Sequence, residues 1–214
     1  MSPVVACKAL KKSYRSEVVL EGVSFELLAK EAMVVTGPNG AGKTSLLSIL
    51  AGLVRQDAGE IRLKGEVFDV LKHRLRRNIG FAPANETSLF VNATVLENLR
   101  FWAKLQGLHF FGDRDIQRIA EEWGVEKYLN RPVREISSGF RRRVALARAF
   151  LHQPMLVLLD EPFAFLDNDN QERVRLATES WLARSSGALI VSSNVDFARG
   201  SHWKSLALRS LENV

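Results

Sequence analysis

Apolar and polar side chains alternate along residues 4–8 and 18–28, the period of two that marks a half-buried strand. A turn near residues 13–17 separates the two stretches, and Gly22-Val23-Ser24-Phe25-Glu26-Leu27 carries the alternation on. Residues 33–36 read as a short apolar strand, and residues 45–51 as the helix that leaves it. Asp57-Ala58-Gly59-Glu60 is a turn before another alternating stretch, residues 61–68. Residues 79–82 predict a short buried strand, which Pro83 ends.

The period changes after residue 92. Leu96, Leu99, Trp102 and Leu105 recur at helical spacing, with Thr94 placed as a cap and Glu97 three residues on. Asp113 is expected to cap a second helix that carries Ile116, Ile119, Ala120 and Trp123 and that Gly124 stops. A third helix begins near Ser138 and runs through Val144, Ala147 and Leu151. Pro154 marks a return to short apolar strands, residues 155–159 and 188–192, with a helix over about 170–183 between them and a final strand at about 205–208. The order predicts one α/β domain. Residues 1–84 and 151–214 form its core, with a β region at the N-terminus, and residues 85–150 form a helical insertion.

Between the strand at 33–36 and its helix lie Gly37, Pro38, Asn39, Gly40, Ala41, Gly42, Lys43, Thr44 and Ser45, of which the first eight fit G-x-x-x-x-G-K-[ST]. Glycines let backbone N–H groups wrap phosphates, and the helix N-terminus adds partial positive charge. Lys43 can reach the outer phosphates, and the Thr44 hydroxyl can ligate Mg²⁺. An ordinary strand–turn–helix corner is the bland alternative, but strand, loop and helix stand together in the context that phosphate binding requires. The pattern implies a bound nucleoside triphosphate.

Residues 155–161 form an apolar strand ending in two acids, Asp160 and Glu161. In a parallel α/β sheet ligands bind at such strand ends. Asp160 is expected opposite Thr44, holding Mg²⁺, while Glu161, aimed differently, can orient an attacking water as a base. The two acids can instead cap the helix that follows.

Composition refines the picture little. The 214 residues suit one domain with an insertion, and 46% hydrophobic residues suffice for a buried core. The formal charge of +6 suits nucleic acid or an anionic surface, but more commonly such an excess is a solvated face. The single cysteine, Cys7, excludes an internal disulfide and fits a reducing compartment. No run approaches the roughly 20 apolar residues of a spanning helix, and Lys8, Lys11 and Lys12 interrupt any signal-peptide core. The expectation is a soluble protein whose membrane role comes through a partner.

These residues, with those that follow, resemble the ATP-binding-cassette (ABC) family of ATPases over nearly the whole chain. Ile136-Ser137-Ser138-Gly139-Phe140 occupies the position of the family's L-S-G-G-Q signature, and Ala164-Phe165-Leu166-Asp167 looks like its D-loop, which crosses a dimer interface. Tyr14 stands where an aromatic residue stacks on adenine; taken alone it reads as a core or edge-strand tyrosine. The resemblance implies a P-loop ABC nucleotide-binding domain, with a RecA-like core, an antiparallel β region and a helical subdomain. It implies ATP and Mg²⁺ as cofactors and a homodimer closing head to tail. Ser137, Ser138 and Gly139 would then meet the partner's ATP, with Asp167 at the interface. It also implies integral membrane subunits and a peripheral place on the cytoplasmic face of the membrane, with no direct contact to nucleic acid.

Three motifs depart from the family pattern. Phe140 replaces the signature glutamine, and Ser138 its first glycine. The glutamine expected after the 79–83 strand is missing: Asn85 fits best by spacing, and Ala84 or Glu86 can also align. The switch histidine is Asn194, which can donate to a γ-phosphate but cannot carry imidazolium charge. Together these predict slow hydrolysis in the isolated chain.

Within the family, residues 93–107, above all Phe101-Trp102-Ala103-Lys104-Leu105-Gln106-Gly107, and the compact length look most like the cytochrome c maturation branch, the ATP-binding subunit of a haem-export complex. No haem contact is expected in this chain; His73, His109 and His152 read as surface or helix positions. Other exporters' ATPases, a soluble ABC protein acting on nucleic acid or ribosomes, and a small P-loop kinase are the competing classes. Leu89, Phe90 and Val91 form an apolar cluster in a loop, expected either to receive a membrane subunit or to pack as hinge core.

Overall fold

The computed structural model describes residues 2–68, 77–85, 88–108, 111–193 and 203–210. The N-terminal alternation becomes β1 (Val5–Tyr14) and β2 (Glu17–Leu27), joined by a tight turn at Arg15 and Ser16 and paired antiparallel. β4 (Ala58–Leu63) pairs with the other edge of β1, and β5 (Glu66–Val67) completes a four-stranded sheet in the order β2-β1-β4-β5. The single stretch expected over residues 61–68 is thus a hairpin. Lys64 (φ 47°) and Gly65 (φ 81°) both take the left-handed region, which reverses the chain where the alternation looked continuous.

The second sheet is parallel and holds β6 (Ile79–Ala82), β7 (Leu156–Asp160), β8 (Ala188–Ser192), β3 (Ala32–Thr36) and β9 (Trp203–Ala207), in that spatial order. Every residue of β7 and β8 is buried, because the sheet is covered on both faces. Alternate residues serve two cores. Leu156, Leu158, Ala188 and Ile190 join Met33 and Val35 in the core shared with the antiparallel sheet and α1 (Lys43–Leu50). Val157, Leu159, Leu189 and Val191 face the helices of the other layer.

Those helices are α2 (Val95–Leu105), α3 (Asp113–Glu122), α4 (Ser138–Phe150) and α5 (Asn168–Arg184). The capping box expected at α2 forms: Thr94 Oγ1 accepts from Glu97 N, and Glu97 accepts from Thr94 N and Oγ1. These bonds, led by the one from the Thr94 backbone, hold the Glu97 carboxyl below its ordinary value. Leu105, by contrast, ends α2 exposed, because the helix has run past the edge of the core.

The cap of α3 differs from expectation. Gly112, not Asp113, is the N-cap, and Asp115 accepts from its N–H at 3.0 Å. Asp113 lies inside the first turn, and its carboxylate takes two hydrogen bonds from Arg100. Close approach fixes α4. A Cβ at Gly80 would lie 2.0 Å from the Ala149 carbonyl, so only glycine there lets the helix lie against β6.

Candidate functional site

β3, β8 and β7 are neighbours, so the loop after Thr36, the end of β8 and the acids after β7 meet at one edge of the sheet. The turn into α1 depends on glycine. Gly42 is the N-cap with φ 88°, and a Cβ there would come within 2.9 Å of Val19 O, Val19 Cγ1 and Leu20 Cδ2. The same contact places β2, and with it the β1–β2 hairpin, against the loop. The first turn of α1 carries no acidic side chain, so its N–H groups keep their partial positive charge for an anion. Pro38, Asn39 and Gly40 are exposed, while Ala41, Gly42 and Lys43 are buried. Lys43 Nζ donates to the carbonyls of Gly37 (2.6 Å) and Pro38 (3.2 Å), which holds its ammonium over the loop.

Thr44 Oγ1 donates to Asp160 Oδ2 at 2.9 Å, across a sequence separation of 116 residues. Asp160 is 1% exposed and is held from its other side by Ser192 Oγ, which donates to Oδ1 at 2.5 Å. Ser192 also receives the next residue: Glu161 N donates to Ser192 Oγ (3.0 Å) and Ser192 O (3.1 Å). Glu161 takes φ 47°, which breaks the strand and turns its side chain away from the line of Asp160. Neither acid caps α5; Asp167 does, accepting from Asn170 N at 2.9 Å.

Tyr14, 43% exposed, ends β1 opposite Glu17. Lys12 Nζ lies 5.2 Å from its ring centroid and bonds Asp57 Oδ1 at 2.7 Å, so the ring sits beside a fixed cation. Ser137 is the exposed N-cap of α4, with Ser138 and Gly139 half-buried in its first turn. Phe140 turns inward, its ring 4.1 Å from Tyr128 and 4.4 Å from the Arg143 guanidinium. An aromatic residue therefore fits where the signature pattern has glutamine. The loop that follows the acids exposes Phe165 (71%) at φ 65°, next to Gly139. Asn85 is exposed in the loop after β6. Asn194 and Glu86, with His73, His109 and His202, lie outside the described residues.

The 89–91 cluster divides. Leu89 is buried, whereas Phe90 and Val91 are exposed, as are Phe101 and Leu105 one turn apart on α2. Phe90 and Phe101 meet edge to face at 4.8 Å. Behind them Asn98, fully buried, accepts from Phe90 N and donates to the carbonyls of Phe90 and Thr94. Sequence reasoning passed over Asn98, Ser192 and Arg142, whose guanidinium reaches the carbonyls of Pro83, Asp160 and Glu161. Only a polar residue at the end of an apolar strand signalled Ser192. Arg142 stood among three consecutive arginines with no mark to separate it. Among the described residues no helix is long and apolar enough to cross a membrane.

A model of the ABC transporter family matches residues 20–164. A molybdate/tungstate import ATP-binding protein of Pyrococcus abyssi is 38% identical over 176 residues, covering 81% of this chain and 50% of its own length. The chain therefore spans about half the length of that relative. A cytochrome c biogenesis ATP-binding export protein of Cupriavidus necator is 34% identical over 192 residues, covering 90% of this chain and 83% of its own. The fold also matches the dimeric structure of an ATP-binding cassette in a post-hydrolysis state with ADP and Pi, at a TM-score of 0.86, 21% identity and 97% coverage of both chains.

Proposed function

Because the chain belongs to the ABC transporter family of ATP-binding proteins, we propose that it binds and hydrolyses ATP as the energising subunit of a membrane transport complex. The observation that carries this is the Thr44–Asp160 contact, which brings a phosphate loop and an acid-tipped strand to one point. A hydroxyl and a carboxylate oxygen 2.9 Å apart are the hard donors that Mg²⁺ takes, so this pair would hold the ion. Bound there, it supplies charge neutralisation to the phosphate oxygens. The loop amides from Gly37 to Ser45 and the N-terminus of α1 hold the phosphates, and Lys43 exchanges the carbonyls of Gly37 and Pro38 for the outer phosphate oxygens. Tyr14 stacks on the base.

Glu161 orients the attacking water and takes its proton, with Asn85 beside it. Asn194 donates to the γ-phosphate. Ser137, Ser138 and Gly139 complete the site of a second copy, with Asp167 and its loop at the interface. The dimeric assembly of the structural neighbour supports that arrangement. Glu161→Gln tests it: the amide keeps the shape without the base, so turnover should slow and an ATP-bound dimer should accumulate in sedimentation. A variant no more dimeric than wild type, with wild-type turnover, removes Glu161 from this role.

The exposed apolar side chains of Phe90, Val91, Phe101 and Leu105 support docking of an integral membrane subunit, and with it a peripheral position at the cytoplasmic face. For the cargo we favour haem export in cytochrome c biogenesis, on the Phe101–Gly107 segment and the likeness to a protein of that name. The likeness to a molybdate/tungstate import protein supports the same ATPase role with another cargo. Co-purification with the membrane subunits of one complex or the other decides between them.

A further inference from the structure

We propose that Arg142 is a positioning residue, one that couples the loop carrying Asn85 to the acid-bearing turn; this rests on reading Glu161 as the residue that orients the attacking water. Arg142 lies one turn into α4 and is fully buried. Its Nη1 donates to Pro83 O at 2.5 Å, and its Nη2 donates to Asp160 O at 2.5 Å and Glu161 O at 3.0 Å. A guanidinium is suited to this, because its donors are fixed in one plane and it stays charged when buried.

The ladder explains why such a donor is needed here. β6 and β7 pair through Ala82 and Leu159, and the next residues in that register are Pro83 and Asp160. Proline has no N–H to give a neighbouring strand. Beyond Asp160 the left-handed turn at Glu161 ends β7, whose last backbone tie runs to Ser192 of β8 and not to β6. On the β6 side the carbonyls at the end of β7 thus lie where strand pairing stops, and buried carbonyls require a donor. Arg142 supplies it from the helix that begins at the signature residues.

Three parts of the site therefore share one side chain. α4 carries Ser137, Ser138 and Gly139 at its N-terminus, β6 leads into Asn85, and β7 ends in Asp160 and Glu161. The bonds run to main-chain atoms, so a shift of α4 moves the backbone of both loops together.

The test uses the purified full chain with Arg142→Met, Arg142→Gln, Arg142→Lys and Glu161→Gln, each assayed well below its own melting temperature. Fluorescent-ATP affinity and KM should stay within about threefold of wild type for Arg142→Met, while kcat falls by tenfold to about a hundredfold, the cost of a misplaced reacting group. Arg142→Lys, which keeps a charged donor toward these carbonyls, should recover part of kcat. Wild-type kcat in the Met and Gln variants, with Glu161→Gln strongly slowed, would overturn the role of Arg142 alone. Equal losses of affinity and kcat would also overturn it, leaving Arg142 a packing residue. Where Arg142→Met does not fold, the Lys and Gln variants carry the same comparison. Unchanged turnover in Glu161→Gln would instead overturn the reading of Glu161.

Discussion

Replacing Ser192 with alanine removes one oxygen and should loosen the carboxylate at the centre of the site. Ser192 Oγ donates to buried Asp160 at 2.5 Å and accepts from Glu161 N at 3.0 Å. The second loss is small, because Glu161 N keeps the Ser192 carbonyl at 3.1 Å. The first removes a hydrogen bond to a buried charge, about 1.5–3 kcal/mol. At about 2–4 °C per kcal/mol for a chain of this size, the melting temperature should fall by roughly 3–12 °C. Differential scanning fluorimetry without nucleotide measures it. Asp160→Asn provides the internal control: a neutral amide makes a weaker bond to the hydroxyl, so in that background Ser192→Ala should cost at least ~1 kcal/mol less. Loss of less than a degree, or the same loss in both backgrounds, would show that Ser192 does not hold Asp160.

Phe90→Asp should abolish association with the membrane subunit while lowering the melting temperature only a few degrees, since its ring contact with Phe101 is worth about 1 kcal/mol. Leu89→Asp places an unpaired charge in the core, costs about 3 kcal/mol or more, and should melt several degrees lower still; similar melting of the two variants would refute the division. His152 donates from Nε2 to Ile79 O, and burial lowers its pKa from 6.5 to about 4. Below pH 6.5 the unfolded chain takes up a proton that the folded chain refuses until about pH 4. Stability present above 6.5 is therefore lost through that window, by up to about 3 kcal/mol. His152→Gln should flatten the fall in melting temperature between pH 6.5 and 4, and parallel curves would refute it.

What the sequence made legible were features that repeat or that sit at fixed spacing. The strands at 32–36, 79–82, 156–160 and 188–192, the capping box at Thr94 and the contact of Thr44 with Asp160 all follow from such patterns. Features decided by backbone sign or by distant partners stayed hidden. Left-handed Lys64 turns an apparently continuous strand into a hairpin, and Asp113 gives up the cap because Arg100, thirteen residues away, binds its carboxylate. Leu89, Phe90 and Val91 are consecutive apolar residues, so nothing local separates the buried first from the exposed two; the Asn98 side chain, clamping Phe90's backbone, does. Arg142 and Ser192 take their meaning from where strands β6, β7 and β8 end relative to one another, which is a property of the sheet.

In the proposed function the loop from Gly37 to Ser45 binds the phosphates of MgATP, with Lys43 as the principal side-chain cation. Equilibrium binding of a fluorescent ATP analogue to wild type and to Lys43→Ala, at fixed Mg²⁺ and ionic strength, tests it most directly. The ammonium spans the loop through the carbonyls of Gly37 and Pro38, and its replacement removes a charge-assisted contact to the phosphates. Wild type should bind saturably and the variant should lose most of that affinity, with circular dichroism unchanged. Equal affinity in the two proteins would contradict the assignment of the loop.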